Sequence, residues 1–208
     1  MGVAADERRE LSRLLTETGP DAPTLCEGWL TRDLAAHLVV RESRPDAALG
    51  IVLPPLAGYT KRVQDALAAQ AWPALVERVR TGPAWYWPTS IGKLDELTNT
   101  AEFLVHHEDV RRGSPGWEPR DADPVRDAAA WRAARTAAKL NLRTAPVGVT
   151  LRTPAGRDAT VKTGAGHVVV VGEPVELLLF VFGRDAVRVE FEGESSAVER
   201  LTSSPRGI

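Results

Sequence analysis

The sequence predicts an α+β protein, with a helical N-terminal portion followed by a smaller C-terminal α/β portion. Three observations carry this prediction. Up to about Arg143 the chain is rich in Ala, Leu, Arg and Glu, whereas from Pro146 to Phe191 it is rich in Val, Thr and Gly. Apolar spacing changes with the composition, from the i, i+3, i+4, i+7 spacing of amphipathic helices to the alternation of strands. Within the first half, Gly19-Pro20, Pro54-Pro55 and Gly82-Pro83 interrupt the apolar stripes where helices should stop. The boundary is placed at 144/145, giving a helical domain over residues 1–144 and an α/β domain over residues 145–208.

Taken in order, Ala5 to Thr18 carries Leu11, Leu14 and Leu15 among charged residues, an amphipathic first helix. A turn-rich connector, Asp21 to Leu30, holds Cys26 and Trp29 and leads to a second helix. Thr31 is the expected cap of that helix, and Asp33 favours its positive end. Leu34, His37, Leu38 and Arg41 share one face, so His37 is expected to point inward. Pro45 interrupts this helix or starts the next, and Pro54-Pro55 separates it from a helix over Leu56 to Ala69. Trp72-Pro73 opens a short helix with Leu75, Val76 and Val79 inward. Trp85-Tyr86-Trp87-Pro88 reads as a bulky aromatic loop, followed by a helix capped near Ser90 and running to about Arg112. Asp123-Pro124 opens a helix to about Leu142. Val147, Val149 and Leu151, a Pro-Ala-Gly turn, and Ala159, Val161 and Thr163 form a hairpin. Val168 to Val171 is a buried strand, Pro174 to Phe182 a helix, Val187 to Phe191 a strand, and Ser195 to Leu201 a terminal helix.

Charge and cysteine content bound the function. With 26 Lys and Arg against 28 Asp and Glu, the net charge is -2 and the pI about 6.1. That balance gives no broad basic field for nucleic acid or anionic membranes. The single cysteine, Cys26, cannot form an intrachain disulfide, and the start of the chain lacks a secretion-signal pattern, so a soluble protein of the reducing cytoplasm is expected. No apolar run approaches the ~20 residues of a membrane span.

The chemistry concentrates on Ala101-Glu102-Phe103-Leu104-Val105-His106-His107-Glu108-Asp109-Val110. On a helix, Glu102 and His106 lie at i and i+4 with Asp109 three residues on, forming one polar stripe. A buried, unpaired carboxylate there would cost several kcal/mol. Two neutralising partners are open: an arginine such as Arg41, or a metal ion held by His37, Glu102 and His106. Two imidazoles and a carboxylate suit zinc and leave a coordination position open, as in catalytic sites, although iron, manganese or nickel would fit the same donors. His107 points away from the stripe and is read as a non-ligand. Asp109 and Asp33 are candidate acceptors that orient His106 and His37. Arg41 is a further candidate for holding a substrate anion. Cys26, with no histidine near it in sequence, is read as a small buried or loop thiol rather than a nucleophile.

The segments Gly28-Trp29-Leu30-Thr31-Arg32-Asp33-Leu34-Ala35-Ala36-His37-Leu38 and Glu102-Phe103-Leu104-Val105-His106-His107-Glu108-Asp109 also carry a resemblance. Together, Trp-x3-Asp-Leu-x2-His and Glu-x3-His resemble the mycothiol-dependent maleylpyruvate isomerase family, more closely its metal-binding actinobacterial branch. The resemblance covers essentially the whole chain. It implies a DinB-like four-helix bundle with a smaller C-terminal α/β domain, zinc on His37, Glu102 and His106, and mycothiol as the thiol cosubstrate. Arg184, in Phe182-Gly183-Arg184, resembles the Gly-Arg of the family's second domain and is expected to hold a substrate carboxylate.

The expectation is a metal-dependent S-transferase or isomerase acting on a small electrophile. The alternatives are a metal-water hydrolase and a non-catalytic metal-binding or regulatory module. Partners are a small-molecule thiol and an electrophile, without nucleic acid or membrane. The oligomeric state is not read from the sequence.

Overall fold

A computed structural model of the chain describes residues 2–83 and 92–206, with the side chains of residue 52 and residues 92–98 outside the description. The expected aromatic loop at Trp85-Tyr86-Trp87 and the cap at Ser90 lie outside the described residues. The chain divides into two compact units, Met1–Glu118 and Pro119–Ile208.

The first unit is helical: α1 (Val3–Thr18), α2 (Thr31–Ser43), α3 (Pro45–Val52), a 3-10 turn at Pro54–Leu56, α4 (Ala57–Ala68), α5 (Trp72–Thr81) and α6 (Gly92–Arg111). The breaks follow the prolines and glycines. Pro45 begins α3, where its missing N–H costs no hydrogen bond, and Gly19, at φ 83°, ends α1 in the left-handed region that excludes most other residues. α1 packs on α5 and α6, and α2 packs on α4 and α5. Their shared core includes Leu11, Leu15, Leu34, Leu38, Leu75, Val79 and Phe103, none more than 1% exposed. Each large side chain taken out of water in this way contributes about 1.5–3 kcal/mol before entropy is counted.

Thr31 does not cap α2. It is the first helical residue, with its hydroxyl donating to the Gly19 carbonyl at 2.6 Å, while Asp33 accepts the Leu30 N–H at 3.0 Å. The carboxylate two positions further on satisfies the helix end, freeing the threonine to tie α2 to the end of α1.

The second unit contains α7 (Pro124–Asn141), β1 (Gly148–Arg152), β2 (Asp158–Lys162), β3 (His167–Gly172), α8 (Pro174–Val181), β4 (Val189–Gly193) and α9 (Ser195–Thr202). Asp123 caps α7 by accepting from the Val125 and Arg126 amides. The four strands order as β2-β1-β3-β4, with β1 antiparallel to β2, parallel to β3, and β3 antiparallel to β4. All eight residues of α8 are buried, and α8 packs on α7. This packing places α7 in the second unit, so the observed division falls before that helix rather than at the expected 144/145. No helix among the described residues is long and apolar enough to cross a membrane.

Candidate metal centre

Residues 103–110 of α6 are all buried, although four of them are His106, His107, Glu108 and Asp109. Burying polar groups at this density is tolerable only when each is partnered. Two of these partnerships hold the helix in place. His107 Nδ1 lies 2.7 Å from Glu7 of α1, and Glu108 accepts from Arg112 at 2.6 Å and Arg111 at 2.9 Å. His107 is therefore turned toward α1, away from the stripe that bears His106.

That stripe meets α2. The His37 and His106 Nε2 atoms each lie 3.2 Å from Glu102 Oε1, and the ligand-capable atoms of the three residues lie within 4.8 Å of one another. Arg41 Nε reaches the other oxygen of Glu102 at 3.3 Å, and Arg41 also donates to Asn99. Thus the arginine and the imidazoles share the carboxylate, one oxygen each way. Asp109, completely buried, lies 2.8 Å from His106 Nδ1. With Nδ1–H donated to Asp109, the Nε2 lone pair is directed toward Glu102 and His37, the tautomer a metal requires. Asp33 closes the start of α2 instead of orienting His37.

The electrostatics match this arrangement. Burial pushes the His106 pKa down, but Asp109, Cys26 and Glu102 outweigh it and raise the ring well above its ordinary value. Burial pushes Glu102 up, and the histidines and Arg41 overcome this, holding it well below the usual carboxylate range. His37 is lowered, mainly by burial. The carboxylates that raise His106 would also attract a cation, and the donor set fits a divalent metal.

His37 also lines a cavity of about 560 Å³, together with Glu27, Trp29, Asp33, Thr60, Lys61 and Gln64. The Trp29 ring lies against His37, with centroids 5.1 Å apart. Arg184 belongs to the second unit, where its Nη1 donates to the Phe182 carbonyl at 2.8 Å.

Cys26 lies in the connector loop, as expected, but its approach to the end of α6 was not foreseen from the sequence. The connector brings its Sγ to 3.2 Å from Asp109 Oδ2 and 4.0 Å from His106 Nδ1. Leu25 N–H bonds to the Asp109 carbonyl at 3.0 Å, and a Cβ on Gly113 would fall 2.1 Å from the Pro23 carbonyl oxygen. Gly113 is the signal in the sequence that another backbone passes close to the end of α6.

Fold and site thus define a mixed helical and sheet protein with a candidate metal triad beside a cavity. Its fold is similar to a solved structure described as the crystal structure of the mycothiol-dependent maleylpyruvate isomerase, with TM-score 0.62, 20% identity and coverage of 92% of this chain and 91% of that one. No protein-family model and no curated protein matches the sequence.

Proposed function

We propose that the chain is a metal-dependent enzyme, a zinc enzyme in its native state, that activates a low-molecular-weight thiol such as mycothiol for transfer to, or isomerisation of, a small electrophile. The observation that carries this reading is the convergence of His37, Glu102 and His106 within 4.8 Å, with His37 exposed to a cavity of about 560 Å³. The similarity to the mycothiol-dependent isomerase supports it through the overall fold, and the helical unit is assigned in this reading as a DinB-like four-helix bundle.

In this reading His37, Glu102 and His106 hold the ion. A divalent cation bound there supplies Lewis acidity, lowering the pKa of a thiol that reaches it from the cavity. The protein does the rest. Asp109 keeps the Nδ1 proton of His106 on the side away from the ion, and Arg41 fixes the rotamer of Glu102 through its second oxygen. Trp29 packs on His37, covering the ring and limiting its reorientation. Arg184 is assigned to the anionic part of the electrophile, and Arg41 is the alternative holder.

The test uses purified, metal-loaded full-length chain, mycothiol and an activated-halide electrophile. Thiol consumption above the uncatalysed rate, lost in His37→Ala, supports the reading. Electrophile hydrolysis that proceeds without thiol supports the hydrolase instead, and neither reaction supports a binding module. In Arg184→Ala, an increase in KM confined to carboxylate-bearing electrophiles supports its assignment.

A further inference from the structure

The two ring nitrogens of His106 face different donor sets. Nε2 looks toward Glu102 and His37. Nδ1 looks toward Asp109 Oδ2 at 2.8 Å and Cys26 Sγ at 4.0 Å, and the thiol and that carboxylate oxygen are 3.2 Å apart. The ligand-capable atoms of Cys26, His106 and Asp109 lie within 4.8 Å of one another, as do those of the first triad.

We propose that Cys26, His106 Nδ1 and Asp109 form a second metal site, a thiolate–imidazole–carboxylate set for thiophilic cations, back to back with the His37–Glu102–His106 set. Tetrahedral zinc, with bonds of about 2.3 Å to sulfur and about 2.0–2.1 Å to nitrogen and oxygen, requires donors about 3.3–3.6 Å apart. The observed separations bracket that range, and small side-chain rotations close the differences. The sulfur makes this the softer of the two sites.

The site is built into the backbone as well as the side chains. Leu25 N–H bonds to the carbonyl of Asp109, Cys26 N–H to Thr24 Oγ1 at 3.2 Å, and Trp29 N–H to the Cys26 carbonyl at 3.0 Å. The connector is therefore held with its thiol against α6. Cys26 is partly exposed while Asp109 is fully buried, so a cation enters past the sulfur toward the carboxylate. Binding releases the thiol proton to solvent and moves the imidazole proton from Nδ1 to Nε2, so that a neutral ring ligates through Nδ1, with no change of oxidation state. The shared imidazole makes the two sites compete, because a cation on Nδ1 removes the Asp109 hydrogen bond that directs the Nε2 lone pair. The inference shares His106 with the proposed function but does not depend on thiol transfer.

Cadmium titration of the full chain tests it, because thiolate ligation of Cd2+ produces a near-ultraviolet charge-transfer band. The band is expected in the wild type and in His37→Ala, where the first site is disabled, and is expected to vanish in Cys26→Ser. Asp109→Asn should weaken binding by at least about ten-fold, no less than the loss of an outer-shell partner costs. A missing Cys26-dependent band at saturating Cd2+, or an Asp109→Asn affinity equal to wild type, overturns the site. Cadmium-113 NMR of the unsubstituted protein decides the same point if a variant fails to fold: a sulfur-ligated resonance supports the site, and its absence overturns it. Loss of metal at the first site alone leaves this band in place, so the two readings fail separately.

Discussion

Replacing Asp109 by Asn tests whether the protein orients His106 for a cation on Nε2. The carboxylate is fully buried, its Oδ2 lies 2.8 Å from His106 Nδ1, and it accepts the Cys26 thiol at 3.2 Å. Asn keeps the size, loses the charge, and can turn an N–H toward the ring, which favours the tautomer that blocks Nε2. A hydrogen bond involving a charged group contributes about 1.5–3 kcal/mol against about 0.5–1.5 for a neutral one. The difference, about 1–1.5 kcal/mol, corresponds to about ten-fold in affinity. Replacing outer-shell partners of metal-bound histidines costs about 10–100-fold. Zinc affinity, measured by chelator competition in a Cys26→Ser background to silence the thiolate, is expected to fall within this range at unchanged stoichiometry. A dissociation constant within about three-fold of the parent, in a variant of unchanged helicity, refutes the orienting role.

Three further outcomes follow from the geometry. His107→Ala should destabilise the chain by about 1–3 kcal/mol in urea titration, because Glu7 is left buried without that partner, yet leave bound metal unchanged; loss of metal would contradict its assignment to α1 packing. Glu42 accepts from both Arg8 Nη atoms at 2.6 Å and from Asn99 at 2.9 Å, so Glu42→Ala should cost about 3–5 kcal/mol by leaving a buried guanidinium, and a loss under about 1 kcal/mol in the same assay would refute that. In metal-free protein, the stabilisation from His106, whose pKa is raised, is fully present below its unfolded pKa and lost as pH rises through the raised folded value. The contribution of Glu102, whose pKa is lowered, is present above its unfolded pKa and lost as pH falls through the depressed one. Thermal melts should therefore show metal-free protein weakening on the alkaline side of neutrality while metal-loaded protein, its cation replacing the proton, does not; parallel pH profiles would contradict this.

Much of the fold was legible because prolines and glycines punctuate it. Pro45, Pro54, Pro124 and Pro174 open the elements they were expected to open or break, since proline is tolerated at a helix start and nowhere further in. The Glu102–His106 stripe was legible from helical spacing, and the inward face of α2 singled out His37. What stayed hidden depended on long-range contacts. Cys26 lies 80 residues from His106, and although Gly113 marks a close backbone approach at the end of α6, nothing local says which segment approaches. The parallel pairing of β1 with β3 was not readable either, since alternation identifies strands and not their neighbours. Thr31 was a plausible cap by type, but Asp33 supplied the carboxylate and Gly19 a competing acceptor. The place of α7 depended on α8, whose eight residues, Glu176 included, are all buried and which packs on α7.

The most direct test of the central claim is elemental analysis of the purified full-length chain beside His106→Ala, both dialysed against metal-free buffer. The account predicts near-stoichiometric divalent metal in the first and loss of that metal in the folded variant. Full metal in His106→Ala, with the helical content of the parent, would contradict it.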